Sequence, residues 1–426
     1  MLRRITVFLG LFFLISSTFA QLKDVERTGG YARLMALGSN PYLQDPTLIT
    51  MNPAYASVYY DFIWGDLGAT KTAFGNDGTG QFAGFNFKVS DQFVIGGILS
   101  RADFNGFSIS STRPCSSLVS QLNGAVTVAN AVAPGNNLEV VGALNLGKLN
   151  IGLGVSYAST SSEYTPGTGG GSTETSASQI GFNVGVLTNT SLVKLDAGVS
   201  VVLPSASFTP GTGSETSFSQ TIIQAQARLF YKLSQKFALV PSVAFLTSSG
   251  TADIASGTTT TNTDLASQML IGVGVGINYQ VGDVLIAGGP MFMRVSTTTP
   301  EVANVNPELT SSMTIFPMWN LGLEWQIADW LVGRLGYVAI DGHTSVESTN
   351  PADSKKIDET IQSLEYLGSI YTNSIPNRAT VGLGFKIGSL SLDATVNTDI
   401  LRQGLANLGN SGAGATFGYL SVSYGF

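Results

Sequence analysis

His343 is the only histidine in the chain, and it stands in Asp341-Gly342-His343. A Ser–His–Asp relay would need this imidazole as its general base. Nothing marks a nucleophile for it, because serines crowd every neighbouring segment. A histidine at the start of a surface loop accounts for the tripeptide without catalysis. Cys115 is the only cysteine. One thiol and one imidazole cannot build a zinc site, an iron–sulfur cluster or a disulfide framework. Cys115 reads as an incidental free thiol in a loop. Gly272, Gly274 and Gly276 are spaced like part of a phosphate-cradling loop. A dinucleotide site would need a helix to follow them, and none does. No run of alternating aspartates ends in glycine, as a calcium loop requires. The expectation is a chain with no catalytic residue, no metal and no cofactor.

The elements that carry these residues explain their types. Charged residues make up only 12% of the 426 positions, while hydrophobic residues are an ordinary 43%. The missing charge is replaced by Gly, Ser, Thr and Asn, with 50 glycines. A soluble domain carries about twice that charge. The formal net charge of −7 excludes nucleic acid, which needs a basic face. After residue 20 no stretch holds 18 consecutive apolar residues, so membrane-spanning helices are excluded.

Period-two alternation dominates from about residue 58. Ile271, Val273, Val275, Ile277 and Tyr279 alternate with Gly272, Gly274, Gly276, Asn278 and Gln280. The same pattern covers Ile151–Tyr157, Trp319–Ile327 and Val381–Ile387. One face is apolar with aromatic ends, and the other is Gly, Ser, Asn or Gln. A soluble sandwich would put Lys, Glu and Arg on its wet face. Small polar residues suit the lumen of a barrel whose apolar face meets lipid.

Short turns at Ser90–Gln92, Gly147–Lys148, Thr188–Ser191, Ser234–Lys236, Gly282–Asp283, Ala328–Asp329 and Gly388–Ser389 alternate with long loops such as 159–177, 207–217 and 249–264. That asymmetry places short turns in the periplasm and long loops outside the cell. One strand near 57–69, seven hairpins and a final strand near 415–426 make sixteen. The weak alternation of the first strands widens the range to 14–16. The predicted fold is a closed antiparallel transmembrane outer-membrane β-barrel over 57–426. Its lumen carries few charges: Lys194, Asp196, Arg228, Glu324, Arg334, Lys386, Asp393 and Asp399. These are expected to pair with one another.

Residues 1–20 read as a signal peptide cleaved near Ala20: Arg3 and Arg4, an apolar core Ile5–Ile15, then small Thr18 and Ala20. The chain ends in Leu420, Val422, Tyr424 and Phe426 at alternate positions. A terminal aromatic on an alternating last strand resembles the signal read by the barrel assembly machinery. The expected location is the bacterial outer membrane, with its lipid as a partner.

Residues 21–56 do not alternate, and their Gly, Asn and Pro content predicts a compact hatch or plug. The stretch from Asp45 to Asn52-Pro53-Ala54 is similar to the segment preceding strand one in the FadL family of long-chain fatty acid and hydrocarbon transporters. PorV-type proteins of type IX secretion look like relatives with the same pattern. The resemblance implies fourteen strands, an internal hatch and passive uptake of hydrophobic small molecules. A PorV-like role would instead make secreted proteins the partners, and a general porin is a third reading. Two loops, near 105–137 and 347–375, show helical periodicity. Leu118 and Leu122 mark one, and Ile357, Ile361, Leu364 and Leu367 the other. In the resembling family such loops form an apolar docking groove, so these six residues are candidates for one. Packing of the helices onto the barrel rim is the alternative.

Overall fold

The computed structural model describes residues 29–69, 81–102, 104, 108–126, 128–165, 171–188, 190, 192–256, 259–301, 306–350, 355–357, 378–396 and 417–426. The strands begin with β1 (Phe62–Ala69), β2 (Gln81–Lys88), β3 (Phe93–Arg101), β4 (Asn136–Asn145), β5 (Leu149–Tyr164) and β6 (Thr173–Thr188). They continue with β7 (Val193–Thr209), β8 (Thr216–Lys232), β9 (Phe237–Ser256), β10 (Thr259–Asp264), β11 (Ser267–Val281) and β12 (Val284–Thr299). The last are β13 (Leu309–Ala328), β14 (Leu331–Ser348), β15 (Lys355–Ile357), β16 (Arg378–Ile387), β17 (Leu390–Val396) and β18 (Phe417–Gly425).

The sheet is antiparallel, and β1 pairs with β2 on one edge and β18 on the other, so it closes on itself. The short β10 pairs only with β9, and β15 only with β14. Setting these two aside from eighteen leaves sixteen strands in the wall. That is the upper end of the predicted range and two more than the family resemblance implies. Closure matters because every backbone N–H and C=O in lipid must find a partner within the protein.

The pleat sorts the side chains. Leu153, Val155, Tyr157, Val273, Val275, Leu321 and Trp325 are exposed on the outer wall. Their sequence neighbours Gly154, Ser156, Gly274, Asn320 and Gly322 are buried on the inside. Apolar outside and small or polar inside is the arrangement of an outer-membrane barrel. Every short turn lies at the end where β1 starts and β18 finishes. Gly147, Gly282 and Gly388 occupy three of these turns at φ 83°, 57° and 60°, where a side chain would be strained.

Three expectations need correction. The Ser/Thr/Gly-rich stretches 159–177 and 249–264 are largely strand, and 207–217 is strand at both ends, because β5 through β10 run on into them. Their hydroxyls pair across strands, as in Ser176–Ser207 at 3.0 Å. His343 lies within β14 opposite Thr314, not at the start of a loop. Ile357 belongs to β15, paired with Thr344, so the helical periodicity expected of the loop near 347–375 does not hold at that residue. Three residues of backbone pairing with β14 displace the local apolar periodicity at that point. Ile361, Leu364, Leu367 and Asp399 fall outside the described residues.

Candidate functional site

Two identical local devices shape the segment that precedes β1. Asp45 caps a 3-10 turn at Pro46–Thr50, its Oδ1 accepting from Thr47 N–H at 3.1 Å. Asn52 caps a second at Pro53–Ser57, its Oδ1 accepting from Ala54 N–H at 3.0 Å. In each the Asx side chain satisfies a free backbone donor, and the following proline already has helical φ. A short helix, Tyr31–Ala36, stands upstream.

This segment lies within the barrel, since it touches inward-facing positions around most of the ring. Asn40 donates to Ala287 O on β12 at 2.9 Å, and Asn278 on β11 donates to Tyr42 O at 3.1 Å. Thr380 on β16 donates to Ala36 O, and Ser421 on β18 accepts from Ala32 N–H. The inward glycines are its socket. A methyl group at Gly152 would overlap Ala54, at Gly185 the Asn52 side chain, at Gly276 the Tyr42 ring and at Gly382 Ala36. The alternating glycines therefore serve close approach of plug to wall.

Buried ion pairs lock the two together. Arg33 of the plug grips Glu324 on β13 through Nε–Oε2 at 2.8 Å and Nη2–Oε1 at 3.0 Å, and also meets Asp45 at 3.0 Å. Glu324 pairs onward with Arg334 at 2.7 Å, and Arg334 with Asp393 at 2.6 Å. On the other side Arg228 pairs with Asp196 and donates to Pro41 O at 2.7 Å and Leu43 O at 2.8 Å. Asp196 also accepts from Asn52 at 2.6 Å and Tyr55 at 3.1 Å. Lys194 donates to Gln44 Oε1 at 3.1 Å. Of the predicted lumen charges Asp196, Arg228, Glu324, Arg334 and Asp393 do pair, with the plug as well as with each other, and Lys194 is held by Gln44 of the plug.

Beyond the plug, toward the long-loop end, the inner wall changes character. Val202, Ile222, Leu246 and Leu270 on β7, β8, β9 and β11 form one cluster with Met293, Ile315, Met318, Val338 and Ile340 on β12 to β14. Ile109, from the chain between β3 and β4, reaches the same cluster. This apolar collar was not anticipated in a face read as small and polar. Its signal is present in the sequence: adjacent apolar pairs such as Val201-Val202, Ile222-Ile223, Leu270-Ile271 and Val338 beside Tyr337 break strict alternation. A strand apolar on both faces has lipid on one side and an apolar interior on the other.

A second inserted element sits beside the collar. Ser100, Asn137, Ser156 and Gln179 on β3 to β6 hold the carbonyls of Ile109, Ser110 and Ser111 at 2.6–3.2 Å. Glu139, buried on β4, accepts from the Ser110 hydroxyl. The helix Arg113–Ala125 then packs its apolar face on inward Ala177, Ala206, Phe208, Phe218 and Ala252. Leu118 and Leu122 are both 0% exposed there. They face the inner wall, and Val128 beyond the helix end is exposed. At the C-terminus Leu420, Val422 and Tyr424 alternate with buried Ser421 and Ser423, and the Phe426 ring packs on Phe87 with centroids 5.5 Å apart. Among the described residues no group of three His, Cys, Asp or Glu side chains is placed to hold a metal.

No protein-family model matches the chain, and no curated protein matches it in sequence. Among solved structures it is similar to the toluene transporter TodX of Pseudomonas putida, at 12% identity over 93% of this chain and 99% of that one, with a TM-score of 0.36. It is similar to the outer membrane transporter YddB of Escherichia coli, at 10% identity over 86% of this chain and 80% of that one, TM-score 0.34. It is similar to the FrpB iron transporter of Neisseria meningitidis, at 9% identity and TM-score 0.36, over 78% of this chain and only 60% of that one. Identities and TM-scores this low carry no functional argument, and the barrel is established by its own strand pairing.

Proposed function

We propose that this protein mediates passive uptake of hydrophobic small molecules, fatty-acid-like in character, across the outer membrane, with its first twenty residues removed on export. The observation that carries this reading is the apolar collar above a plug whose charges are paired. A polar solute gains nothing from such a lining. An apolar guest that buries about 200 Å² of its surface gains roughly 5 kcal/mol at ~25 cal/mol per Å². The collar residues are buried in this state, so a guest must displace what covers them. The general-porin reading is disfavoured by the same features, since paired charges set up no strong transverse field.

The test is uptake of radiolabelled long-chain fatty acids and hydrocarbons by a deletion strain. Uptake should fall on deletion and return with the wild-type gene. It should not return with Met293→Gln/Met318→Gln, which keeps side-chain length and makes the collar polar. Heat-modifiable gel mobility verifies that the variant barrel has assembled. Unchanged uptake, with loss of a surface-exported protein instead, would replace this reading with the secretion-partner role.

A further inference from the structure

The outer wall carries a cleft of about 690 Å³ that the uptake reading does not use. It lies where the ladder between β7 and β8 is interrupted. Val202 pairs with Ile222 and Ser205 with Ser219, but Leu203 and Pro204 have no bridge to Thr221 and Gln220. Proline has no N–H to give a ladder, which is why it is rare inside sheets. The other edge of β8 stays paired, Gln220 with Gly250 and Thr221 with Ser249. The opening is therefore local.

The cleft is two-toned along the membrane normal. Tyr157, Ile180 and Leu203 line its lower part, and they adjoin the exposed apolar band of Val155, Phe182 and Val199. One row nearer the long-loop end it is lined by the paired hydroxyls of Ser178 with Ser205 and Ser219 with Thr251 and by the Asp264 carboxylate, while Thr221 and Ser249 stand in the same row as Leu203. No Lys or Arg lines it. An acyl chain suits Tyr157, Ile180 and Leu203, because they continue the exposed apolar band of the wall. An occupant of the upper part must hydrogen-bond to hydroxyls and tolerate a carboxylate. A phosphate headgroup fails that condition, since it needs a cation or a row of backbone N–H groups. A sugar headgroup meets it, because each of its hydroxyls donates as well as accepts.

From this geometry we infer that the cleft on β5 to β9 binds a glycolipid of the outer leaflet, its sugar on the Ser/Thr rows and Asp264, its chain on Tyr157, Ile180 and Leu203. The test is native mass spectrometry of the full protein in mixed micelles holding equal amounts of a monoglucosyl diacylglycerol and phosphatidylglycerol. The wild type should retain one glucosyl lipid in at least tenfold excess over phosphatidylglycerol. Ser205→Phe/Ser219→Phe, which fills the cleft from outward-facing positions, should abolish that excess. Thr298→Phe, which alters a comparable outward hydroxyl pair with Thr310 elsewhere on the wall, should leave it intact. Asp264→Lys should shift retention toward phosphatidylglycerol. Equal retention of both lipids by the wild type overturns the assignment. So does an excess that survives filling the cleft, or one that Thr298→Phe removes equally.

Discussion

Replacing Arg228 with alanine should unlatch the plug. The guanidinium is 6% exposed and joins three partners: Asp196 on the wall, and the carbonyls of Pro41 and Leu43 in the plug. Without it, Asp196 remains 1% exposed with only Asn52 and Tyr55 as donors. Removing one partner of a buried pair costs about 3–5 kcal/mol, because the remaining charge stays desolvated. The two surviving donors to a charged acceptor hold the cost near the lower figure, about 3 kcal/mol, or roughly 100-fold in the equilibrium. Reversible urea unfolding in detergent should show this loss. Planar-bilayer recording should show higher conductance than the wild type, as the plug loosens on its Asp196 side. Adding Asp196→Asn should recover about 2 kcal/mol, since the amide leaves no bare charge. A single variant within 1 kcal/mol of wild type would refute the argument. A double variant no more stable than the single would do so equally.

Gly276→Ala should assemble poorly or expose the plug to added protease, because the new methyl meets the Tyr42 ring, whereas Gly124→Ala, with open space around it on the loop helix, should stabilise by about 1 kcal/mol. Burial pushes the Cys115 thiol up to about 12. A maleimide at pH 8 should therefore leave the folded protein unmodified and label it after denaturation, and rapid native labelling would mean that the helix does not pack on β6 and β7. Phe426→Ala should lower the amount of assembled barrel in cells while moving the urea midpoint of refolded protein by less than about 1 kcal/mol, since the ring is half-exposed on the outer wall. An equal loss in both measurements would assign Phe426 to stability and not to recognition by the assembly machinery.

The sixteen-stranded wall was legible in the residues because a barrel strand is a local object. Ile271 to Tyr279 must alternate to serve lipid and lumen, and Gly282 must sit at a turn with positive φ. Short turns against long connections then set the topology. The six groove candidates were less legible. Leu118 and Leu122 carry helical spacing, but spacing cannot say whether the apolar face meets a guest or, as here, Ala206 and Phe218 of the inner wall. Ile357 shows the opposite failure, a helical period overruled by pairing with β14.

By itself the sequence determined what depends on neighbours in the chain: the two-faced strands, the turns, and the Asp45-Pro46 and Asn52-Pro53 caps. Tertiary structure alone decided what depends on residues brought from far apart. Gly185 faces Asn52, Arg33 meets Glu324 across 291 positions, and Val202 joins Met293 and Ile340 in one collar. Closure of the sheet is the physical reason. It turns one face of every strand toward a common axis, so the partner of an inward side chain is set by its height and position around the ring, which separation along the chain does not encode.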